Sequence, residues 1–233
     1  MVKSKKTAAL ILAAGNSSRF GNTIPKQFYE IGGKKIIEYS LEAAEINPKI
    51  DNTFIVANKG YIEICESFMR KYPKTVKVIT GGSTRQESVF LGLDALRGRG
   101  FLKVIIHDSA RPFCGDVMDI VILSLEENKT AVPCLPLQDT LYYLENEKVK
   151  EIPERSKFFY VQTPQGFYFE DILPAHEFFY KKGYLEFPDD GSLLFAVGKK
   201  INCVKGDKKN FKITTQSDLD FAEYIIERGK ENG

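Results

Sequence analysis

A run of small residues followed by cations marks the first segment able to do chemistry. The stretch Ala13-Ala-Gly-Asn-Ser-Ser-Arg-Phe-Gly-Asn-Thr-Ile-Pro-Lys26 lets backbone amides approach a phosphate, while Arg19 and Lys26 add positive charge. It is not a P-loop, because five residues rather than four separate Gly15 from Gly21, and Asn22 follows. The dinucleotide pattern G-x-G-x-x-G fails as well, since Asn16 and Ser17 follow Gly15. These mismatches argue against ATPase and dehydrogenase chemistry. A second segment, Thr80-Gly-Gly-Ser-Thr-Arg-Gln-Glu-Ser88, places a glycine pair before a helix. That is either a tight turn or a base pocket in which the Gly82 and Ser83 backbones and the Ser88 hydroxyl read a pyrimidine's edge. A third, His107-Asp-Ser-Ala-Arg-Pro-Phe113, puts Asp108 directly after an apolar strand. There it suits hydroxyl or metal contacts, and Arg111 suits phosphate binding or the orientation of Asp108. His107 is expected to be structural rather than a general base.

Other polar segments have local explanations when taken singly. Thr140 fits an edge strand, Arg155 a solvated charge, Thr163 a turn before Pro164, Asp189-Asp190 a helix cap and Lys212 a strand face.

The elements that must position these residues are written in the apolar pattern. Ala8–Ala13, Phe54–Ala57, Val76–Ile79, Val104–Ile106 and Ala131–Leu135 are short apolar runs bounded by turn residues, as buried strands are. Between them lie amphipathic stretches, Ile36–Ala44, Tyr61–Tyr72, Thr84–Leu96 and Asp116–Glu127. The alternation predicts an α/β fold with a largely parallel sheet and helices on both faces. Thr84 with Glu87 fits a capping box, and Asp116 fits a helix cap. In such a sheet, ligands bind outside the carboxyl ends of the strands, where the three segments above fall. From Leu137 to Val161 the pattern turns β-rich around the polar turn Glu145-Asn146-Glu147-Lys148, which predicts a protruding β-arm at about 137–161. Alternation resumes with a helix near Phe169–Lys182, a strand at Ile201–Val204 and a closing helix from about Ser217 to Arg228. The expectation is one domain over 1–233.

Composition limits the partners. The 233 residues carry 33 Lys and Arg against 31 Asp and Glu, a net charge of +2, which argues against a protein that wraps nucleic acid. Any anionic partner must be small and locally held. No apolar run approaches the roughly 18 residues of a membrane span, and Asn16–Arg19 interrupts the signal-like N-terminal stretch. Four scattered cysteines without a C-x-x-C pair suggest reduced thiols in a cytoplasmic protein.

The first segment, L-A-A-G-x(3)-R-[FM]-x(4)-P-K-Q, resembles the nucleotide loop of nucleotidyltransferases that make CDP-alcohols and nucleotide sugars. Taken in order with G-G-x-x-R-x-x-S, H-D-[SA]-A-R-P-[FC], P-x-x-D-T, Q-T-P-Q-[GA]-F, D-D-x-S and G-D-x-x-N-x-K-[IV]-T, it resembles the 2-C-methyl-D-erythritol 4-phosphate cytidylyltransferases from Leu12 to Asp218. The resemblance implies a Rossmann-like sheet of seven strands and a homodimer clasped by the arm. It implies CTP and an alditol phosphate as substrates, and Mg²⁺ bound mainly through the CTP phosphates, with no metal ligand assigned in the chain. Arg19, Lys26 and Lys212 would be catalytic, and Ala13, Ala14, Gly15, Gly82, Ser83 and Ser88 would hold CTP. Asp108, Arg111 and Thr163 would line the second substrate, joined by Thr140 and Arg155 from the partner's arm. Ser83 stands where the family often has Asp, and Phe187-Pro188 precedes the acidic pair where Thr is common, which leaves the Asp189-Asp190 segment without an assigned role. A ribitol-5-phosphate cytidylyltransferase and a non-catalytic nucleotide-binding relative are the alternatives.

Overall fold

The computed structural model describes residues 6–15 and 24–231. Strand β1 (Lys6–Ala13) is followed, after a 3₁₀ turn at Lys26–Phe28, by a small hairpin of β2 (Glu30–Ile31) and β3 (Lys34–Lys35). Helix α1 (Ile36–Ile46), β4 (Asn52–Ala57), α2 (Ile62–Ser67), β5 (Thr75–Thr80), α3 (Arg85–Ala95), β6 (Phe101–Asp108), α4 (Gly115–Ser124) and β7 (Thr130–Pro136) continue the alternation. The arm carries β8 (Tyr143–Glu145) and β9 (Lys148–Glu151), and β10 (Phe159–Val161) returns to the body. There follow β11 (Gln165–Tyr168), α5 (Phe169–Lys181), α6 (Asp190–Ala196), β12 (Cys203–Lys205) and α7 (Gln216–Glu231).

The main sheet runs β10-β7-β11-β6-β1-β4-β5, with β12 paired to β7. Strands β1, β4, β5 and β6 are mutually parallel, and β11 is antiparallel to both β6 and β7. This makes eight strands against the seven implied by resemblance. The difference is one of division: β10 and β11 both run antiparallel to β7 and are separated only by 162–164. Counted as one interrupted strand, they bring the total to seven.

Strand β1 is apolar at every position from Ala8 because both of its faces are buried. Ala9, Ile11 and Ala13 pack with Ile37, Leu41, Val117 and Val121 of α1 and α4, while Ala8, Leu10 and Leu12 pack with Val89, Leu93, Ile172 and Leu194 on the other face. Each fully buried Leu or Ile contributes about 1.5–3 kcal/mol. That two-faced core keeps the carboxyl ends of β1, β5 and β6 along one edge of the sheet.

Three expectations about elements are corrected. The helix expected over Tyr61–Tyr72 is α only at Ile62–Ser67, and Phe68–Arg70 tightens to 3₁₀, which offers the last carbonyls i→i+3 partners and buries both Phe68 and Tyr72. Asp116 is not a cap: α4 begins at Gly115 after Cys114, so Asp116 sits in the first turn, where a carboxylate favours the helix dipole. At α3, Thr84 does accept from the Glu87 amide, but the Glu87 carboxylate reaches back to Ser83 rather than closing a box on Thr84.

The sequence pattern does not announce β11, and it marks α6 only through the capping pair Asp189-Asp190. Strand β11 begins Gln165-Gly166, which has no apolar alternation, and Gly166 is there for close approach. A Cβ on it would lie 2.6 Å from Val121 and 2.7 Å from Leu125, so a larger residue would push α4 off the sheet. The arm turn falls where expected, with Glu145 paired to Lys148 and positive φ at Asn146 (49°) and Glu147 (62°), the values of a type I′ hairpin.

Candidate active site

A cleft of about 410 Å³ opens at the carboxyl edge of the sheet, lined in part by Ala13, Ala14, Gly15, Lys26, Gly82, Ser83, Ser88, Asp108 and Lys212. Nine of the fourteen sequence-predicted site residues therefore converge, from segments as far apart as 13 and 212. Arg19 lies outside the described residues. Arg111, Thr163, Thr140 and Arg155 do not line the cleft within this chain.

Local hydrogen bonds explain the convergence. Gln27, buried in the 3₁₀ turn, donates from Nε2 to the carbonyls of Ala13 (2.7 Å) and Gly15 (2.9 Å), tying that turn, and Lys26 with it, to the end of β1. Ser109 Oγ donates to Leu12 O at 2.6 Å, tying the ends of β1 and β6 together. The segment bearing Lys212 is clamped from both sides. Ile213 N donates to Ala110 O at 2.9 Å, an Arg111 guanidinium nitrogen donates to Asn210 O at 2.8 Å, and Asn210 Nδ2 donates to Thr163 O at 2.9 Å. Asp218 then accepts from Thr214 N, Thr214 Oγ1 and Thr215 N, each at 2.8 Å, fixing the exit into α7.

Arg111 and Thr163 thus stand behind the cleft. Thr163 Oγ1 accepts from the Asp108 amide at 3.0 Å and lies 3.2 Å from His107 Nδ1. Arg111 is held by Asn210, and its Nε is buried without a partner. His107 is fully buried, with Nε2 3.1 Å from Arg111 O. Burial pushes its pKa down to about 4, against the opposing pull of Asp108, so the ring is neutral near pH 7 and serves structure, as expected.

Asp108 is the electrostatic centre. It is 8% exposed, and its two oxygens take Arg85 Nε at 3.0 Å and Lys212 Nζ at 2.7 Å. Burial alone would raise its pKa; Arg85 and Lys212 outweigh that and hold it well below the usual carboxylate range. Three cations, Lys26, Arg85 and Lys212, and the single carboxylate of Asp108 are the charged residues lining the cleft among the described residues. A site with that balance favours a polyanion.

The glycine loop is held by its own hydrogen bonds. Gly82 N donates to Ser88 Oγ at 3.1 Å, Ser88 Oγ donates to Thr84 O at 2.9 Å, and Glu87 Oε2 accepts from both the Ser83 amide and its hydroxyl at 2.6 Å. Gly82 is required by that arrangement, since a Cβ there would meet the Glu87 side chain at 2.2 Å.

The residue that sequence reasoning missed is Arg85. It sat inside a quoted motif without a role, and the signal available was electrostatic: a cation in the first turn of a helix opposes the dipole unless carboxylates face it. The structure supplies two, Asp108 and Asp190. Of the acidic pair expected to cap a helix, only Asp189 does so, accepting from Ser192 N at 2.8 Å, while Asp190 turns inward.

A Rossmann-like α/β sheet with a cationic cleft at its carboxyl edge, entered by a small-residue loop, defines a nucleotidyltransferase. The family model for IspD, 2-C-methyl-D-erythritol 4-phosphate cytidylyltransferase, matches residues 7–228, and the chain belongs to that family. It is 38% identical to the 2-C-methyl-D-erythritol 4-phosphate cytidylyltransferase of Neorickettsia sennetsu, covering 95% of this chain and 97% of that one. It is 35% identical to a bifunctional IspD/IspF enzyme of Wolbachia pipientis, where 98% of this chain spans 57% of the relative's length. The crystal structure of 4-diphosphocytidyl-2C-methyl-D-erythritol synthase from Anaerococcus prevotii superposes with a TM-score of 0.84 at 30% identity, over 96% of this chain and 99% of that one. Among the described residues no helix is long and apolar enough to cross a membrane.

Proposed function

We propose that the chain joins the phosphate of 2-C-methyl-D-erythritol 4-phosphate to the α-phosphorus of CTP, releasing pyrophosphate. The observation that carries the residue assignments is the meeting of Lys26 and Lys212 in one cleft beside Asp108, with the carboxylate of Asp108 2.7 Å from the Lys212 amine.

A phosphate monoester has a second pKa near 6 and is largely dianionic at neutral pH, so the nucleophile needs no protein base. The obstacle is charge. A dianion must approach a triphosphate, and negative charge grows on the transferring and leaving groups. Preorganised cations lower that barrier by neutralising the approach and holding the partners in line. Lys26, with Arg19 from the same loop, suits the triphosphate, and Lys212 suits the transferring phosphate, which its remaining ammonium hydrogens can reach while Asp108 holds one of them. Gly82 and Ser88 suit the cytosine edge, with Ala13, Ala14 and Gly15 against the nucleotide. Arg111 is half-buried and gives one guanidinium nitrogen to Asn210 O, which leaves others to offer the second substrate's phosphate. Thr163 is best placed to hold the Asp108 backbone.

Mg²⁺ fits as a group held chiefly by the nucleotide. Asp108 is the one cleft carboxylate among the described residues, and each of its oxygens already holds a cation, so it is poorly suited to be the main ligand of the ion. When bound, Mg²⁺ supplies further charge neutralisation on the phosphates.

The arm accounts for a homodimer in a cytoplasmic enzyme. Tyr142, Tyr143, Leu144, Val149, Ile152, Phe158, Phe159 and Tyr160 are each at least 44% exposed, apolar surface that an isolated chain would leave in water. Thr140 and Arg155 lie on that arm, and Arg155 donates to Gln138 O at 2.7 Å, which stiffens its base for reaching a neighbour's cleft.

The deciding assay compares pyrophosphate release from CTP with 2-C-methyl-D-erythritol 4-phosphate and with ribitol 5-phosphate. Turnover should depend on the methylerythritol substrate. A higher kcat/KM with ribitol 5-phosphate, or no turnover with either, contradicts the assignment.

A further inference from the structure

From the cleft cation Arg85 a row of paired charges runs inward to Asp190 and His176, two buried residues that the proposed chemistry does not use. Arg85 bridges two acids with two different guanidinium nitrogens: Nε donates to Asp108 Oδ1 at 3.0 Å, and Nη2 donates to Asp190 Oδ2 at 2.9 Å. The other oxygen of Asp190 lies 3.1 Å from His176 Nε2, which must therefore carry a hydrogen. Asp190 and His176 are each 1% exposed. The series His176–Asp190–Arg85–Asp108–Lys212 thus alternates donor and acceptor from α5 through α6 and α3 to the end of β6 and into the cleft.

Asp190 has no evident duty to its own helix. Capping of α6 is done by Asp189, which accepts from Ser192 N and whose second oxygen takes Gln165 Nε2 at 2.8 Å. Asp190 does not line the cleft. A buried ionised carboxylate is costly and adds little stability over an apolar residue of similar volume, so its geometry is the informative part. A planar guanidinium held at two nitrogens by separate carboxylates is fixed in position and in plane. Held at one nitrogen, it can pivot, and whatever it fixes pivots with it. What it fixes is Asp108, whose other oxygen holds the Lys212 amine.

We infer that Asp190, braced by His176, is a positioning residue: it orients Arg85, which orients Asp108, which presents Lys212 to the transferring phosphate. The inference rests on the assignment of Lys212 above. It places control of the cleft partly in α5 and α6, on elements that touch no substrate.

The test uses the full chain and steady-state pyrophosphate release from CTP and 2-C-methyl-D-erythritol 4-phosphate. Asp190→Asn keeps the shape and loses the charge, so kcat should fall by roughly 10²-fold, the effect of about 1 Å of misplacement at a reacting centre, while the KM for CTP changes little. His176→Ala should fall less, and His176→Gln, which retains an N–H toward Asp190, should recover most of that loss. Because the row ends at Lys212, Asp190→Asn combined with Lys212→Ala should be no slower than Lys212→Ala alone, which a merely structural loss would not produce. If Asp190→Asn does not fold, the His176 variants combined with Lys212→Ala carry the same comparison. Wild-type kcat in Asp190→Asn, or losses that multiply in the double variant, overturns the inference while leaving Lys212 in place. Wild-type kcat in Lys212→Ala overturns the cleft assignment itself, and the inference with it.

Discussion

The cleft and the arm treat their difficult side chains in opposite ways. At the cleft, Asp108 is 8% exposed and both of its oxygens are engaged, the Gly82 and Ser83 amides are bonded within their loop, and the Lys212 segment is clamped by Ala110 and Arg111. On the arm, Tyr143, Leu144 and Val149 are half exposed and belong to a two-stranded sheet that pairs only with itself. A two-stranded hairpin is marginal in water on its own. The cleft is completed by the chain, whereas the arm has apolar surface to be covered by something else. For the proposed dimer, this means that chemistry is preorganised in each subunit and only its last contacts, from Thr140 and Arg155, depend on association.

The comparison is broken most severely by making the arm polar. Tyr143, Leu144 and Val149 would each contribute about 1.5–3 kcal/mol on full burial, so replacing all three with Ser should raise the dimer dissociation constant by at least roughly 10³-fold. Sedimentation should show the shift to monomer, and thermal unfolding of the body should move little, because these side chains belong to none of the buried core clusters. An unchanged dissociation constant would show that the arm does not hold the subunits.

A smaller effect sharpens the other side. Burial lowers the His107 pKa to about 4, whereas in the unfolded chain the ring titrates near 6.5. Between those values the unfolded chain takes up a proton that the native chain refuses. The stability in question is therefore fully present above pH 6.5 and is lost as the pH falls toward 4, by about 3 kcal/mol. Urea midpoints of wild type and His107→Gln should show the variant losing less stability over that interval. Parallel curves would mean that His107 is not held neutral behind the cleft.

The halves of the molecule differ also in how far sequence reveals them. The apolar runs that became β1, β4 and β6 are legible because burial on both faces leaves little room for polar residues, and edge strand β5 is legible from Val76, Val78 and Ile79 alone. The residues just after β1, β5 and β6 are legible because chain direction in a parallel sheet puts those ends together. The arm is legible from its turn and from TLYYL, apolar without a helix period. Strand β11 is hidden because Gln165 and Gly166 serve neighbours: Gln165 donates to Asp189 and accepts from Gly191 N, and Gly166 lets α4 approach. Arg85 is hidden for a related reason. Its meaning depends on Asp190, 105 residues away, and no local pattern records an ion pair across that separation. Thr163 and Arg111 are expected as substrate contacts because their motifs lie beside Asp108; within this chain neither lines the cleft, and they bond the Asp108 amide and Asn210 O.

The proposed transfer of a cytidylyl group needs no protein base, because cations distant in sequence meet in one cleft. It is tested most directly by pyrophosphate release from CTP and 2-C-methyl-D-erythritol 4-phosphate in Lys26→Ala and Lys212→Ala, each first checked for wild-type thermal stability. Loss of one preorganised donor should lower turnover on the order of 10²- to 10³-fold in either variant. Wild-type turnover in a folded Lys26→Ala or Lys212→Ala protein would contradict the account.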